Sequence, residues 1–265
     1  MELSHILKIN WAQKQLEQLT QAEIDWFKNQ ENVSHRVYPN PDSPGNFIFE
    51  VSAKEIPVAP LSLVVGDIIQ NIRNSLDHAV YELGVKNNHP DFNTNSHNSQ
   101  FPIIGNQSRA GNPSNGEENF ERSKSAFIKY ISNDAQDFLK TVQPFNMDDQ
   151  YNEHPLWLLN KLSNIDKHRF LHVGAGFSGS FKIEKCRIEG DFSTPPALID
   201  ENKTIIKFGN ISPIDPEANL DDLVSPRMVI CFRDGPLREK PIIETLKNIH
   251  SYVVTKVLIP IGNYL

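Results

Sequence analysis

The sequence predicts an α+β protein in which helices come first, short strands follow and one helix closes the chain. Two long segments near the N-terminus carry apolar residues at helical spacing. After His172 the chain changes to apolar segments separated by Pro- and Gly-rich turns, which predict three to five strands of a small antiparallel sheet. These segments are 174–190, 203–211 and 227–235. The last segment, 238–261, has a helical pattern again.

The first two helices follow from the spacing of their apolar residues. Residues 3–29 form a loosely periodic first helix, which the Pro- and Asn-rich segment 38–46 ends. Residues 47–54 alternate well enough for a strand. The second helix starts after Pro60 and ends at Gly84, a suitable C-terminal cap. Its buried stripe consists of Val65, Ile68, Ile69, Ile72, Leu76, Ala79, Val80 and Leu83.

The middle of the chain predicts a long loop and three further helices. Residues 85–119 are rich in Asn, Ser, Gly and Pro and form a mobile surface loop, in which Phe101–Ile104 docks on the core. Two short helices follow at 120–131 and 133–142, and a third begins at Pro155. We therefore predict a helical region at 1–172, and a β region with the C-terminal helix at 173–265 that packs on it as one unit.

Composition restricts the class of protein. The chain has 265 residues, 38% hydrophobic and 22% charged, as in soluble globular proteins. It has no apolar run near the roughly 20 residues that span a bilayer, so no membrane partner is expected. The N-terminus is typical of a helix of the mature protein and not of a signal peptide, so we expect a cytoplasmic protein. Its cysteines, Cys186 and Cys231, are predicted to be buried thiols.

Charge limits the way in which nucleic acid could bind. The net charge of −7 argues against non-specific binding through a broadly basic surface. A local basic pocket remains compatible with that total, because the charge of the chain and the charge at a site are different quantities.

The stretch Asn71–Val80 places several polar residues in the second helix. A step of about 100° per residue puts Arg73 and Asp77 on one shoulder of the helix, four residues apart, where they can pair. His78 lies about 140° away from Arg73 around the helix axis. The polar stripe on the far side consists of Asp67, Asn71, Asn74 and His78. A second helix, or a second copy of the protein, must therefore complete any site that uses both Arg73 and His78.

The residues from Arg73 to His78 resemble the signature of the HEPN superfamily, an arginine and a histidine separated by four to six residues. A polar residue such as Asn74 directly follows the arginine in that family. The resemblance implies a HEPN-like helical bundle, a homodimer, and cleavage of RNA without a metal or other cofactor. His78 would then act on the ribose 2′-hydroxyl as general base or acid, and Arg73 would hold the phosphate. Asn74 would position the scissile group or fix the tautomer of His78.

A wider set of motifs is similar to a widespread bacterial family that has no established activity. The motifs are GDIIQNIRNSLDHAVYELG, FPI, QPF and HPLWLLNKLSNIDKHRFLHV. The similarity covers about Gly66 to Val173. Together the resemblances imply an RNA or nucleotide partner. They also imply a role in toxicity, defence or stress, in which an antitoxin or a regulatory protein is a further possible partner.

A second charged cluster, Asp166-Lys167-His168-Arg169, lies near the end of the third clear helix. By the same angular rule Arg169 borders the core, where an arginine needs a partner; we predict Asp77, with Asp166 next. Lys167 and Arg169 would give the Arg73 helix the positive potential that the whole chain lacks. The alternative is that these cations only complement the dipole at a helix C-terminus.

Other interpretations of the same residues stay open. Arg73 with Asp77 can be a helix-surface pair, and His78 can bond a neighbouring helix. The protein would then be a non-catalytic interaction protein whose polar helix face is a dimer or partner seam. We predict no metal site, because the histidines lack the spacing of known metal motifs. The three tryptophans, Trp11, Trp26 and Trp157, are predicted to be core or interface aromatics and not a base-stacking platform.

Overall fold

The computed structural model confirms the α+β class. It describes residues 3–54, 56–92, 99–107, 113–169, 171, 173–177, 182–183, 186–188, 205–213, 224–225 and 228–265. The chain forms two compact units. The helical unit consists of Met1–Glu17, Leu63–Leu171 and Glu244–Leu265, and the β unit consists of Gln18–Ser62 and His172–Ile243. This division differs from the predicted one in two ways: the C-terminal helix belongs with the earlier helices, and Gln18–Ser62 belongs with the strands.

The helices have the following bounds: α1 Ser4–Lys28, α2 Val58–Asn87, α3 Gly116–Ser123, α4 Asn133–Thr141, α5 Pro155–His168, α6 Ile242–Tyr252 and α7 Ile259–Ile261. Wider π-helical turns follow α3 at Lys124–Ile128 and α6 at Val253–Leu258, and a 3-10 segment spans Pro144–Glu153. Among the described residues, no helix combines the length and apolar character that crossing a bilayer requires.

Burial of apolar stripes from several helices forms the core of the helical unit. The stripe predicted for α2 is confirmed, since all eight of its residues are at most 3% exposed. The segment after the second helix docks as predicted, with Phe101 only 1% exposed. Other fully buried side chains of this unit are Leu16, Phe120, Ile128, Leu139 and Leu156.

The second helix is longer at both ends than the sequence predicted. It begins at Val58, which places Pro60 in the first turn, where a missing N–H costs no helical hydrogen bond. Gly84 is not its cap, because the helix continues to Asn87 and Asn88 then adopts a left-handed conformation with φ of 49°. Gly84 has a packing role instead, since a Cβ there would overlap the ring of Phe92.

The loop predicted at 85–119 is shorter. The end of α2 occupies its start, and α3 begins at Gly116, capped by the side chain of Asn115. Residues 93–98 and 108–112 of the predicted loop lie outside the described residues. The two short helices predicted after the loop are present as α3, with its π-helical turn, and α4.

The β unit contains three antiparallel sheets among the described residues. The strands are β1 Val33–Pro39, β2 Phe47–Ala53, β3 Val173–Phe177, β4 Lys182–Ile183, β5 Cys186–Ile188, β6 Ile205–Pro213, β7 Val224–Ser225 and β8 Met228–Phe232. The largest sheet has the order β1-β2-β6-β5, while β3 pairs with β8 and β4 pairs with β7. The sequence prediction missed β1, which forms a hairpin with the predicted strand β2.

One of the two predicted buried thiols falls within the described side chains. Cys231 in β8 is free and fully buried, and burial raises the pKa of its thiol to about 12. The acidic residues Glu23 and Glu239 act in the same direction. This thiol is therefore protonated and unreactive at neutral pH. The side chain of Cys186 lies outside the described residues.

Candidate functional site on the second helix

Arg73 and Asp77 together clamp the backbone of Phe101. Nη2 of Arg73 donates to the carbonyl oxygen of Phe101 at 2.8 Å, and the N–H of Phe101 donates to Oδ1 of Asp77 at 2.8 Å. Nη1 of Arg73 lies 2.8 Å from the same Oδ1, as an ion pair without the alignment of a hydrogen bond. The predicted pairing of Arg73 with Asp77 is confirmed. The pair fixes both backbone polar groups of the residue that inserts into the core.

Burial changes the proton affinity of both members of this clamp. The residue Arg73 is 9% exposed, and burial lowers the pKa of its guanidinium while Asp77 opposes that shift. Burial likewise raises the pKa of Asp77, against the attraction of Arg73, the hydrogen bond from Phe101 and the charges of Lys167 and His78. Each charge of this pair is therefore stabilised by the other, so loss of Asp77 leaves a buried, unpaired arginine and loss of Arg73 leaves a half-buried carboxylate without its nearest counter-charge.

A polar contact joins α2 to α5 next to the clamp. Nε2 of Gln70 donates to Oδ2 of Asp166 at 3.0 Å and to the carbonyl oxygen of Ser163 at 3.2 Å, and the hydroxyl of Ser163 donates back to Oε1 of Gln70. Gly66 allows this approach, because a Cβ at that position would overlap the carboxylate of Asp166. Asp166 therefore helps to hold α2 and α5 together.

The end of α5 brings cations to α2, although not in the predicted way. Lys167 is exposed and lies close enough to Asp77 for its charge to lower the pKa of that carboxyl. His168 and Arg169 are also exposed. The prediction that Arg169 borders the core is wrong, because α5 ends at His168 and the backbone of Arg169 is extended, with φ of −164°. The ion pair that was predicted between Arg169 and Asp77 is made by Arg73 instead.

On its other side, α2 contacts the first helix through polar residues. Nδ2 of Asn71 donates to Oε1 of Gln15 at 3.0 Å, and Nζ of Lys8 donates to Oδ1 of Asn71 at 3.3 Å. Nearer the end of α2, Glu82 accepts hydrogen bonds from the backbone and hydroxyl of Ser4 and pairs with His5. Burial alone would raise the pKa of Glu82, but these bonds outweigh it and the pKa is lowered.

Asn74 and His78 lie on the outer ridge of α2, between these two sides. Both residues are half-buried, in contrast to Arg73. At about 100° per residue, the ridge lies between the side of Asn71, which faces α1, and the side of Asp77, which faces Lys167. Lys8 from α1 and Lys167 from α5 therefore flank the ridge. Asp67, which is exposed, lies on the same ridge nearer the start of the helix.

The exposure of the tryptophans tests the core part of their prediction as core or interface aromatics. Trp11 is 53% exposed, so it is not a core residue. It lies three residues after Lys8 and four before Gln15, which are both bonded to Asn71, so it borders the polar side of α2. Trp157 is partly buried against Tyr151 and Lys161.

Sequence reasoning missed Lys8 and Gln70, and it did not identify Phe101 as the partner of Arg73. Lys8 and Gln70 lie on long helices at positions that look like ordinary solvated surface. The partners of Arg73 and Asp77 at Phe101 are backbone atoms, which leave no signature in the side-chain pattern. The docking of the apolar segment 101–104 was the one available signal.

Comparison of this chain with models of protein families, with curated proteins and with solved structures gives no match. The HEPN resemblance therefore stays a prediction that depends on the motifs. The half-buried ridge carries an imidazole and an amide, and an ammonium group lies on each side of it. Such a set of donors suits an anionic ligand with several acceptor oxygens, such as a phosphate.

Proposed function

We propose that the helical unit binds RNA, or nucleotide phosphates, on the outer ridge of α2 without a metal ion. One observation carries the proposal: Lys8 and Lys167, from two different helices, flank the half-buried residues Asn74 and His78. The nearby carboxylate of Asp77 is already paired with Arg73 and bonded to Phe101. Lys8 and Lys167 therefore bring positive charge to the two sides of the ridge, although the chain carries a net charge of −7 and Asp67 lies on the same ridge.

Each ridge residue has a definite part in this proposal. Lys8 and Lys167 contact phosphates on the two sides of the ridge as mobile point charges. His78 donates a hydrogen bond to a phosphate oxygen or to a ribose hydroxyl, and Asn74 can donate or accept beside it. Arg73 has a supporting role instead of the phosphate-binding role implied by the HEPN resemblance, because its guanidinium is buried and bound to Phe101. It holds Asp77 and the 101–104 segment in place beneath the ridge.

The proposal is tested by fluorescence anisotropy with labelled oligonucleotides in EDTA. Lys8→Ala and Lys167→Ala should each weaken binding and should reduce the salt dependence, by about 0.7 in the slope of log K against log salt. Arg122→Ala is the matched control, since it removes the same charge from exposed α3. Asp67→Asn should strengthen binding by removing a carboxylate from the ridge. Equal binding by wild type and both lysine variants would overturn the proposal.

A second candidate function, cleavage of the bound RNA, is favoured by the proximity of His78 to Asp77, whose pKa the charge of His78 lowers. In this reaction His78 takes the proton of a ribose 2′-hydroxyl, and the oxygen attacks the adjacent phosphorus. The bond from phosphorus to the 5′-oxygen breaks, and that oxygen takes a proton from water; the hydroxide that remains takes the proton from His78. The products carry a 2′,3′-cyclic phosphate and a 5′-hydroxyl.

Cleavage is tested by incubating RNA with wild type and with His78→Ala in EDTA. We expect wild type to release fragments that end in cyclic phosphate and the variant to release none. His78→Gln, which can still donate a hydrogen bond, separates the two functions: binding is partly retained and cleavage is lost. Equal cleavage by His78→Ala and wild type would exclude His78 as the reacting group.

A further inference from the structure

We infer that the RNA bound by the ridge is single-stranded and that one of its bases stacks on the indole of Trp11. This inference rests on the proposed function, and it adds a binding residue from α1. The observation that carries it is a large aromatic side chain, 53% exposed, between two lysines on one face of a helix.

Trp11 is placed next to the phosphate-binding ridge by its neighbours on α1. Lys8 precedes it by three residues and is bonded to Asn71 of α2, so the indole and the ridge share one surface. Lys14 follows Trp11 by three residues and is exposed. The indole therefore lies between two ammonium groups, and one of them belongs to the proposed phosphate site. This arrangement alternates positive charge with an aromatic face, as in proteins that bind single strands.

The strandedness follows from the accessibility of the bases. An unpaired base exposes its face and can stack on an aromatic ring, while the backbone beside it stays in contact with cations. In a duplex the base faces are covered by neighbouring base pairs, so an indole on a helix surface finds no face to stack on. A single strand can stack a base on the indole of Trp11 while one of its phosphates contacts the ammonium group of Lys8.

A second copy of the chain is the competing occupant of this face, because Leu3 and Leu7 extend the exposed apolar stripe of Trp11. Charge argues against it. In a twofold pairing of α1 with its copy centred on Trp11, Lys8 and Lys14 of one chain would face lysines of the other. Like charges at the centre of an interface are costly, while a polyanion neutralises them.

The experiment measures tryptophan fluorescence and anisotropy on a chain with Trp26→Phe and Trp157→Phe, so that Trp11 is the remaining indole. Oligouridine should quench its emission, and a blunt RNA duplex of equal length should bind at least tenfold more weakly. Trp11→Ala should weaken oligouridine binding about tenfold, and Trp11→Phe should retain most of the affinity. Leu7→Ala is the matched control, since Leu7 is 52% exposed on the same stripe.

The outcomes separate the inference from the proposed function. If Lys8→Ala weakens binding and Trp11→Ala does not, the ridge binds RNA and the stacking inference fails. If wild type binds neither RNA, both fail. If sedimentation shows a dimer that both Trp11→Ala and Leu7→Ala dissociate, the face belongs to a second copy and the inference is overturned.

Discussion

The two sides of α2 use one six-residue motif in different ways. Arg73 lies on the side that packs against the 101–104 segment, where its guanidinium pairs with Asp77 and donates to the carbonyl oxygen of Phe101. His78 lies on the outer ridge, half-buried, between the side of α2 that is bonded to Lys8 and the side that faces Lys167. The comparison teaches that an arginine and a histidine five residues apart need not form one site. The helix places the two residues on different sides of α2, and the less buried side chain, His78, is the one accessible to a ligand.

The largest expected effect comes from breaking the buried side. Arg73→Met leaves the half-buried Asp77 without its nearest counter-charge and the Phe101 carbonyl without its donor, so we expect a loss of about 3 kcal/mol in the free energy of unfolding. Denaturant titration measures this value. Arg122→Met is the matched control, because its pair with Glu118 is exposed and should change stability by about 0.5 kcal/mol or less. If Arg73→Met also costs about 0.5 kcal/mol or less, the clamp contributes little to stability.

The second effect concerns another buried polar pair of the helical unit. His154 is 4% exposed, its Nδ1 accepts the N–H of Leu156 as the cap of α5, and its Nε2 bonds to the hydroxyl of Tyr252 at 2.9 Å. Burial lowers the pKa of His154 to about 4. The unfolded chain therefore takes up this proton first, and stability falls as the pH drops from about 6.5 to about 4.

The expected size of this loss is about 2–3 kcal/mol, measured as the free energy of unfolding against pH. His154→Asn provides the control, since asparagine can cap a helix but does not titrate. The difference between the two pH curves isolates His154 from His250, whose pKa burial also lowers. Parallel curves for wild type and variant would show that His154 takes up its proton equally in both states.

A smaller effect tests the contact between α2 and α5. Asp166→Ala removes the acceptor for Gln70 and should cost about 1 kcal/mol of unfolding free energy. Gly66→Ala should destabilise wild type, because the new Cβ overlaps the Asp166 carboxylate. In the Asp166→Ala background the same change should stabilise by up to about 1 kcal/mol, as alanine favours a helix. If Gly66→Ala changes the free energy of unfolding in the same direction in wild type and in Asp166→Ala, the close packing of Gly66 against Asp166 is contradicted.

The smallest effects on the free energy of unfolding are expected for substitutions on the ridge. Lys8→Ala, Asn74→Ala and His78→Ala should each change the free energy of unfolding by less than about 0.5 kcal/mol, because these side chains are not in the core. The same denaturant titrations measure this. A loss above about 2 kcal/mol of unfolding free energy for His78→Ala would show that His78 stabilises the fold, as Arg73 does.

Periodicity predicted the parts of the fold that depend on apolar side chains. The buried stripe of α2 and the docking of Phe101 follow from spacing alone, because burial of apolar residues is what positions them. The ends of α2 did not follow, since Gly84 serves packing against Phe92 and not capping. Strand β1 was missed although it forms a hairpin with β2, because Ser34, His35 and Arg36 interrupt its apolar pattern.

The candidate site was predictable to the extent that it depends on one helix. The pairing of Arg73 with Asp77 follows from their spacing of four residues. The prediction that Arg169 borders the core was wrong because it extended α5 past His168, where the helix ends. The contributions of Lys8 and Trp11 depend on how α1 packs against α2, and no local pattern reveals that packing.

The most direct test of the account compares the two ends of the motif in one RNA titration. Arg73→Lys and His78→Ala are titrated with labelled oligouridine in EDTA at low temperature, and affinity is expressed per folded molecule. We expect Arg73→Lys to bind within about twofold of wild type, since a supporting residue does not touch the phosphate, and His78→Ala to bind about tenfold more weakly. Wild-type affinity in His78→Ala together with a loss in Arg73→Lys would contradict the account.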